Sequence, residues 1–550
     1  MDEFQHIIDN VFSVIEEEGE EEDVYDLFNR VTNGYGKRKA EDELDNPAKR
    51  PDTKIELSEE QQRVVDLIIN EKKSILFTGS AGTGKSVVLR AIVEKCEEIY
   101  RGDFGITAST GLAALNIGGQ TLHRFLGIRL AKGSVATLAK MINKNTLLAQ
   151  RWKSLRLLII DEISMIDRTL FDKLEEVARV IRGNTKPFGG IQIVASGDFF
   201  QLPPVSKDVR PTFCFLAESW SRVIKETVVL KQVFRQRSDL EFIRMLNQIR
   251  VDECDNDTLT SLKALQRNVT YFDGIEPTQL YPTLKEVQAA NKEKLDSLPG
   301  QLYEFKSYDT GDKQLLDGHF LAERVLLLKN GVQVMCIKNQ STQLVNGSLG
   351  TVLFLTTHNL FSNFRKFYGR LKFDNKDVLE NIRFVCKFIG RYEDFNEKDQ
   401  IFIRDIDREE ERKFVEKCCR YARNEKHSDI FPVVKFTFRG DERGLIHLVD
   451  RETFQIEERD RLIASRKQLP LILSWAMTIH KSQGQTLDRV KVDLKRIFEN
   501  GQMYVALSRA TTRERLEVKN FASAKIKAAP IVKHYYEQVE AKVDKIVLNV

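Results

Sequence analysis

The chain has 550 residues, of which 42% are hydrophobic and 30% charged, and its formal net charge is +4. This length allows roughly three to four domains, and no apolar run of about 20 residues is present that could span a membrane. The seven cysteines are scattered without a C-x-x-C pair, which favours a reducing compartment and gives no indication of a zinc site.

The first 54 residues have the composition of a disordered acidic tail. They contain 16 Asp/Glu and 7 Lys/Arg, so the rest of the chain carries +13, which suits a polyanionic partner. The acidic run 16–23 precedes basic clusters at 37–39 and 49–50, which are either a nuclear import signal or a charged linker. Residues 5–12 faintly resemble a sliding-clamp-binding peptide, although Val11 stands where an aromatic residue is expected. A nuclear location is therefore expected; no mitochondrial targeting segment is seen, and a mitochondrial isoform stays open.

From residue 55 onward, short apolar strands alternate with helices, which is the pattern of a parallel α/β sheet. Functional loops are expected at the carboxyl ends of such strands. A helix is predicted over 58–70, and strands are predicted over 75–77, 104–107, 157–160 and 191–195.

A phosphate-binding loop, GSAGTGKS at 79–86, follows the first of these strands. It fits the pattern G-x-x-x-x-G-K-[ST], in which glycines let backbone N–H groups face the phosphates. Lys85 can reach the β- and γ-phosphates, and the Ser86 hydroxyl can bind Mg²⁺. A helix over 87–94 is predicted after the loop. The pattern therefore predicts a nucleoside triphosphate site.

Further catalytic candidates follow in the chain. Asp161 and Glu162 end a buried strand, where an Asp can hold Mg²⁺ and an adjacent Glu can deprotonate the attacking water. Phosphoryl transfer also needs a positively charged side chain beside the γ-phosphate, where negative charge develops. Arg235 in VFRQR and Arg509 in YVALSRA are the candidates for that role.

Eight motifs in order resemble the superfamily 1B helicases and, more narrowly, the Pif family of 5′→3′ DNA helicases. The resemblance covers roughly residues 55–530, and the segment 172–192 resembles one particular to that family. The motifs are LSEEQ (57–61), GSAGTGKS (79–86), TASTGLAA (107–114), DEIS (161–164), GDFFQLPP (197–204), VFRQ (233–236), IHKSQGQTL (479–487) and YVALSRA (504–510).

The resemblance implies an ATP and Mg²⁺ site in a cleft between two RecA-like domains. It implies that Gln61 recognises adenine, that Gln201 senses the γ-phosphate, and that two arginines stabilise the transferred charge from opposite sides. The implied catalytic residues are Lys85, Asp161, Glu162, Gln201, Arg235 and Arg509, with Ser86 and Asp161 as metal ligands. The implied nucleotide-binding residues are Gln61, Gly79, Ser80, Ala81, Gly82, Thr83, Gly84, Lys85 and Ser86.

Nucleic-acid contacts are expected from hydroxyls and N–H groups that grip phosphates and from rings that stack on bases. The basic, helical segment 124–153 is interpreted as a wedge that splits the duplex. The expected DNA-binding residues are Thr107, Ser109, Thr110, His123, Phe125, His480, Lys481, Ser482 and Tyr504.

The predicted fold class is α/β, with two RecA-like parallel-sheet domains, a small helical wedge insertion, and an SH3-like β-rich insertion in the second domain. A β-hairpin is expected around Asn346-Gly347, and a charged, solvated helical segment is expected over 395–428. The expected boundaries are a tail at 1–54, domain 1 at 55–233 with the wedge at about 120–153, domain 2 at 234–350 and 468–530, the insertion at 351–467, and a terminal helix or tail at 531–550.

The resemblance implies an ATP-dependent helicase that translocates 5′→3′ on single-stranded DNA and unwinds forked duplexes. It implies work in genome maintenance, covering DNA repair, recombination, replication forks, telomeres and G-quadruplexes, by a monomer that can dimerise on DNA. The direction of movement comes from the resemblance alone. Two alternatives stay open: a superfamily 1 RNA helicase or RNP remodeller, and a DNA-stimulated ATPase that displaces proteins.

Overall fold

A computed structural model describes most of the chain from residue 57 to residue 547. By its contacts the chain divides into residues 1–58 and 59–550, and the elements below belong to the second unit. The acidic run, the basic clusters and the clamp-binding peptide expected in the tail lie outside the described residues. Within 57–547, the residues left undescribed are 130, 132, 205–211, 237–238, 272–274, 312–315, 317–319, 342–343, 345–346, 370–372, 374, 439–440 and 459–460.

The first domain is a parallel sheet covered by helices. Its strands are β1 (Ile75–Gly79), β2 (Phe104–Ala108), β3 (Gln120–Thr121), β4 (Leu157–Asp161), β5 (Gln192–Gly197) and β6 (Glu226–Leu230). Its helices are α1 (Glu59–Ile69), α2 (Lys85–Tyr100), α3 (Gly111–Asn116), α4 (Leu122–Phe125), α5 (Val135–Asn143), α6 (Thr146–Ser154), α7 (Arg168–Arg182) and α8 (Trp220–Val223).

The six strands lie in the order β3-β2-β4-β5-β1-β6, and every neighbouring pair is parallel. Strands β1 and β4 are buried at all five positions, as expected for a sheet with helices on both faces. The phosphate loop, Asp161 and Gly197 therefore share the carboxyl edge of one sheet. This confirms the predicted parallel α/β core.

The predicted wedge segment forms a helical layer on the same domain. Helices α5 and α6 lie between β3 and β4 and contact α7. Trp152 is 1% exposed, and its indole Nε1 donates to Leu126 O at 3.0 Å. The inner face of this layer is therefore part of the domain core, and strand separation by its outer face stays a prediction.

A second parallel sheet and a long insertion follow. The helices are α9 (Leu240–Val251), α10 (Asn256–Ala264), α11 (Leu284–Ser297), α12 (His358–Tyr368), α13 (Lys376–Cys386), α14 (Glu397–Arg404), α15 (Glu409–Asn424), α16 (Ile479–Ser482), α17 (Gln502–Leu507) and α18 (Pro530–Val547). The strands are β7 (Thr278–Tyr281), β8 (Tyr303–Lys306), β9 (Tyr308–Thr310), β10 (Val325–Leu328), β11 (Gln333–Cys336), β12 (Leu349–Thr356), β13 (Phe431–Phe438), β14 (Asp441–Leu448), β15 (Glu452–Glu458), β16 (Arg461–Gln468), β17 (Leu471–Leu473), β18 (Ala476–Thr478), β19 (Val490–Asp493) and β20 (Leu516–Lys519).

The second domain is built on the parallel sheet β18-β7-β19-β20. The insertion contains the sheets β14-β13-β12-β11-β17, β15-β16-β9 and β10-β8, in which every pairing is antiparallel. Strands β8 to β11 thus belong to the insertion, which starts after α11 and not at residue 351. The reason is the hairpin: β11 pairs with β12 (Met335 opposite Leu349), so both strands must lie in the same sheet. Asn346, in its connection, lies outside the described residues.

A helical subdomain within the insertion is larger and less solvated than the sequence suggests. Helices α14 and α15 confirm the helical segment expected over 395–428, but α12 and α13 also belong to it. The expectation of a solvated helix is wrong for α15, which buries Val415, Cys418, Cys419 and Ala422. Phe414 on α15 stacks on Phe367 with ring centroids 3.9 Å apart. The subdomain therefore shares one apolar core with strands β11, β12 and β13.

The last helix, α18, returns to the first domain. Val532 and Tyr536 are buried among the core residues of that domain, beside Phe199 and Phe200. The second domain is thus connected to the first at both of its ends. Across 57–547, apart from the breaks given above, no helix is both long and apolar enough to cross a membrane.

Candidate active site and nucleic-acid interface

The phosphate loop is enclosed by residues from distant parts of the chain. Gly82 and Gly84 have φ angles of 88° and 81°, a backbone conformation that favours glycine. A Cβ at Gly84 would lie 2.5 Å from Gln61 Nε2, and one at Gly82 would lie 2.8 Å from Arg235 Cβ. Gln61 Nε2 also donates to Thr83 O at 3.2 Å. The loop therefore requires glycine at both positions, and Gln61 and Arg235 both lie against it.

Lys85 lies inside this loop at the first turn of α2. Its Nζ donates to Gly79 O at 2.7 Å and to Ser80 O at 3.1 Å. Burial lowers the pKa of Lys85, while the carboxylates of Asp198 and Glu162 oppose that shift. On binding phosphate, the amine would exchange its two main-chain bonds for phosphate oxygens.

The two predicted carboxylates stand at the end of β4, and each is 8% exposed. Glu162 has a φ of 51°, which is uncommon for a residue other than glycine and typical of functional sites. Burial and the neighbouring charge of Glu162 raise the pKa of Asp161 to about 7. A divalent cation between Asp161 and the exposed Ser86 hydroxyl would lower that pKa again, and such oxygen ligands suit Mg²⁺.

Gln201 lies just beyond β5, at the same edge of the sheet, and is 5% exposed. Its Oε1 is buried and makes no hydrogen bond to any of the described residues. An amide oxygen left in this way costs on the order of 1–3 kcal/mol. The site therefore offers an acceptor suited to a water molecule beside the phosphate loop.

Arg235 and Arg509 come together on the opposite side of the loop, but they are held differently. Arg235 donates to Ser508 O at 3.1 Å, and burial together with the Arg509 guanidinium lowers its pKa to about 9. Arg509 is 1% exposed and donates to Val505 O at 2.8 Å and to Gln485 O at 3.1 Å. It also donates to Ser482 O and Ser508 Oγ. Arg509 is thus part of the framework of the second domain.

Three of the predicted DNA contacts require correction because their side chains lie in the interior. Tyr504 is 1% exposed, and its hydroxyl accepts from Ala81 N of the phosphate loop at 2.7 Å. The hydroxyl of Thr107 donates to Ile159 O, and that of Ser482 donates to Ile479 O. Neither Thr107 nor Ser482 has any exposed surface. Tyr504 belongs to the nucleotide side of the site, and the two hydroxyls hold strand and helix ends.

The remaining predicted contacts stay a prediction. His480 Nε2 lies 3.1 Å from Glu499 Oε2, and the Arg151 guanidinium lies over the Phe125 ring at 5.3 Å. Thr110 accepts from Ala113 N at 3.2 Å. The residues with half-buried or exposed side chains are Ser109, Thr110, His123, Phe125, His480 and Lys481.

Two glutamines without a role in the sequence analysis hold the site together: Gln483 connects its two sides, and Gln236 joins the Arg235 segment to the Arg509 segment. Gln483 Nε2 donates to Glu162 Oε2 at 2.9 Å, and Gln236 Nε2 donates to Ala510 O at 3.0 Å. Both residues are buried. Their positions inside motifs were visible in the sequence, but their partners lie more than 250 residues away, which only the fold reveals.

Comparison with known proteins agrees with the fold and with the order of the motifs. Residues 56–259 match the family described as PIF1-like helicase, and residues 313–355 match the 2B domain of DNA helicase Pif1. The chain is 44% identical to the ATP-dependent DNA helicase RRM3 of Saccharomyces cerevisiae, over 88% of this chain and 68% of that protein. The 2B match overlaps β10 to β12, consistent with the earlier start of the insertion.

Two solved structures are similar. The Pif1 helicase of Candida albicans has 40% identity and a TM-score of 0.70, over 88% of this chain and 100% of that one. A Bacteroides Pif1 in complex with ADP-AlF3 and ssDNA has 26% identity and a TM-score of 0.57, over 89% and 98%. Across four fungal relatives the chain spans 57% to 68% of their length. The chain belongs to the Pif1-like helicase family.

Proposed function

We propose that this chain is a Mg²⁺- and ATP-dependent DNA helicase that translocates 5′→3′ on single-stranded DNA and unwinds duplexes. One observation carries the proposal: Glu162, at the end of the phosphate-loop sheet, is hydrogen-bonded to Gln483, which lies two residues after the candidate DNA contact Lys481. One hydrogen bond across the cleft therefore links the proposed general base to the proposed DNA site.

In the proposed ATP site, bound Mg²⁺-ATP would supply the phosphoanhydride bond to be broken and a cation that neutralises phosphate charge. Lys85 and the loop glycines would hold the phosphates, while Ser86 and Asp161 would hold the metal. Gln201 orients the attacking water and Glu162 accepts its proton. Arg235 and Arg509 stabilise the charge that develops during transfer.

On the DNA side, the six half-buried or exposed candidates defined above grip the backbone and stack on bases without reading sequence. Residues of the first domain and of α16 in the second domain would bind alternately as the cleft closes and opens. Unstacking one base-pair step costs on the order of 1.4 kcal/mol, which one ATP turnover can supply. The proposed partners are single-stranded and forked DNA, and the proposed location is the nucleus.

Strand displacement on matched substrates tests the proposal. Duplexes with a 5′ tail, a 3′ tail, or RNA in one or both strands are incubated with Mg²⁺-ATP and the wild-type protein. We expect displacement of 5′-tailed DNA duplexes and none by Lys85→Ala, because that variant cannot hold the phosphates. Equal activity of Lys85→Ala would refute the ATP-driven mechanism, and preference for RNA-only duplexes would refute DNA as the substrate.

A further inference from the structure

A buried charged cluster lies at the turn that carries Gln201. Asp198 has no exposed surface, and Arg250 on α9 binds it with two hydrogen bonds, from Nε to Oδ2 at 2.9 Å and from Nη2 to Oδ1 at 2.8 Å. Burial by itself would lower the pKa of Arg250, but the Asp198 carboxylate outweighs it and raises that pKa. The cluster is therefore a charged bridge between the first domain and a helix of the second.

Tyr536, on the last helix α18, completes the cluster. Its hydroxyl lies 2.6 Å from Thr78 Oγ1, accepts from Phe199 N at 3.3 Å, and lies 3.5 Å from Asp198 Oδ1. Its ring stacks on Phe200 with centroids 5.0 Å apart and an interplanar angle of 11°. The Arg250 guanidinium lies over both rings, at 4.5 Å from Phe200 and 5.3 Å from Tyr536.

These contacts reach both the strand that leads into the phosphate loop and the turn that carries Gln201. Thr78 immediately precedes Gly79, where the phosphate loop begins. Asp198 starts the turn that carries Gln201, since Gln201 N donates to Asp198 O at 3.0 Å and Phe200 N donates to Asp198 Oδ1 at 3.2 Å. One hydroxyl thus touches the strand that leads into the loop and the turn that places Gln201.

The second domain approaches this same turn closely. Gly501, just before α17, packs so tightly that a Cβ there would lie 2.3 Å from Phe200 O and 2.7 Å from Gln201 O. The Gln201 turn is therefore held between Tyr536 and Asp198 on one side and the start of α17 on the other. A shift of the turn relative to the phosphate loop would have to break the contacts of Tyr536.

We propose that Tyr536 is a positioning residue for ATP turnover: its hydroxyl fixes the Gln201 turn relative to the phosphate loop, and the Asp198–Arg250 pair connects that position to the second domain. The last helix then belongs to the ATPase machinery, although none of the candidate nucleotide-binding residues lies on it. The inference rests on the proposed ATPase function.

The test compares Tyr536→Phe with Tyr535→Phe in the full-length chain. Tyr535 is the matched control because it is the neighbouring residue of the same helix and its ring stacks on Phe215 at 4.4 Å. Both substitutions remove one hydroxyl and keep the ring, so the contact of the Tyr535 ring with Phe199 at 5.5 Å is retained. Only the hydroxyl of Tyr536 bonds to Thr78 and to the backbone of the Gln201 turn. DNA-stimulated ATP hydrolysis is measured for kcat and KM, and thermal unfolding is measured in parallel.

We expect Tyr536→Phe to lower kcat by roughly three- to tenfold with KM for ATP changed less than about twofold, because misplacement of a catalytic group acts on turnover. Tyr535→Phe is expected to keep the wild-type kcat. Arg250→Lys, which keeps the charge but loses the two-point contact, should lower kcat similarly, and the double variant should lose less than the product of the two.

Equal kcat for Tyr536→Phe and Tyr535→Phe, or a change confined to KM or to the unfolding temperature, would overturn the inference. Independent, fully multiplicative effects of Tyr536→Phe and Arg250→Lys would overturn the connection to the second domain. A wild-type protein that hydrolyses no ATP, tested beside Lys85→Ala, would instead refute the proposed function together with this inference.

Discussion

The two sides of the candidate ATP site are built in different ways. On one side, Lys85, Asp161 and Gln201 stand at the carboxyl edge of one parallel sheet, so the strands themselves fix their spacing. On the other side, Arg235 and Arg509 come from segments separated by more than 250 residues. Side-chain to main-chain bonds hold these segments together, from Arg235 to Ser508 O and from Gln236 to Ala510 O. The spacing of the strands makes the first side rigid, whereas the geometry of the second side depends on a few side-chain hydrogen bonds.

The arginines test this difference with the largest expected effect. Either Arg235→Ala or Arg509→Ala should lower kcat for ATP hydrolysis by about 10³-fold or more, the range for an arginine that stabilises phosphoryl transfer. Only Arg509→Ala should also destabilise the fold, by on the order of 3 kcal/mol, because it removes four side-chain hydrogen bonds and leaves a cavity in place of a buried guanidinium. Steady-state ATPase assays and urea unfolding measure the two effects.

Arg235→Ala serves as the matched control, since Arg235 makes one such bond, to Ser508 O. Its unfolding free energy should stay within about 1 kcal/mol of wild type. Equal destabilisation by both substitutions would show that the second side does not depend on Arg509 in the way described.

Glu162 gives the next largest effect, on the rigid side. Glu162→Gln keeps the shape of the side chain but removes the base, so kcat should fall by about 10²–10⁴-fold. Binding of a fluorescent ADP analogue should be nearly unchanged, because Lys85 and the loop remain intact. Loss of nucleotide binding in parallel with kcat would assign Glu162 to binding and not to proton transfer.

Asp161 should trade stability against activity. Below about pH 4 its carboxyl is neutral in the folded and the unfolded chain, whereas between about pH 4 and 7 the unfolded chain releases the proton first. Because its folded-state pKa is raised to about 7, the metal-free protein loses stability as pH rises through this window. Asp161→Asn should therefore raise the unfolding free energy at pH 8, by on the order of 1–4 kcal/mol, and leave it nearly unchanged at pH 4.

Thermal unfolding of both proteins across pH 4–8 in EDTA measures this effect. The same substitution should abolish Mg²⁺-dependent ATP hydrolysis. A stabilisation of equal size at pH 4 and pH 8 would mean that the charge of Asp161 does not cause it.

The smallest expected effect concerns the bond across the cleft. Gln483→Ala should lower DNA stimulation of ATP hydrolysis by roughly three- to tenfold while basal hydrolysis changes less, because the amide at 2.9 Å from Glu162 connects the DNA motif to the base. The ratio of stimulated to basal kcat is the measurement. Gln485→Ala is a neighbouring control, and an equal loss there would remove the special role of Gln483.

The sequence predicts the first side of the site well because its chemistry is local. A phosphate loop, an acidic pair after an apolar strand and their helices each occupy a short stretch with a recognisable spacing. Strand β4 was expected over 157–160 and is found at Leu157–Asp161. The interior positions of Tyr504, Thr107 and Ser482 could not be read in this way, because a motif gives the order of side chains and not which of them faces solvent.

The insertion shows the opposite case. The alternation of apolar residues predicted the hairpin of β11 and β12, but not that its first strand pairs with β17, more than 130 residues later. The segment 395–428 is rich in charge, so its pattern suggested a solvated helix. One face of α15 is nevertheless buried against other elements of the insertion, among them α12 and α13. The pattern does not identify these partners of Cys418 and Cys419.

The return of α18 to the first domain has a mechanical consequence. The second domain is attached by two crossings of the chain, one near Gln236 and one near Lys527, where Gly501 N donates to Lys527 O. A domain attached at two points rotates most easily about the line that joins them, so the two crossings act as hinges. Arg235 lies next to the crossing at Gln236 and would therefore move little in such a rotation. Detaching α18 would remove one hinge, so the rotation of the second domain would no longer be restricted to one axis.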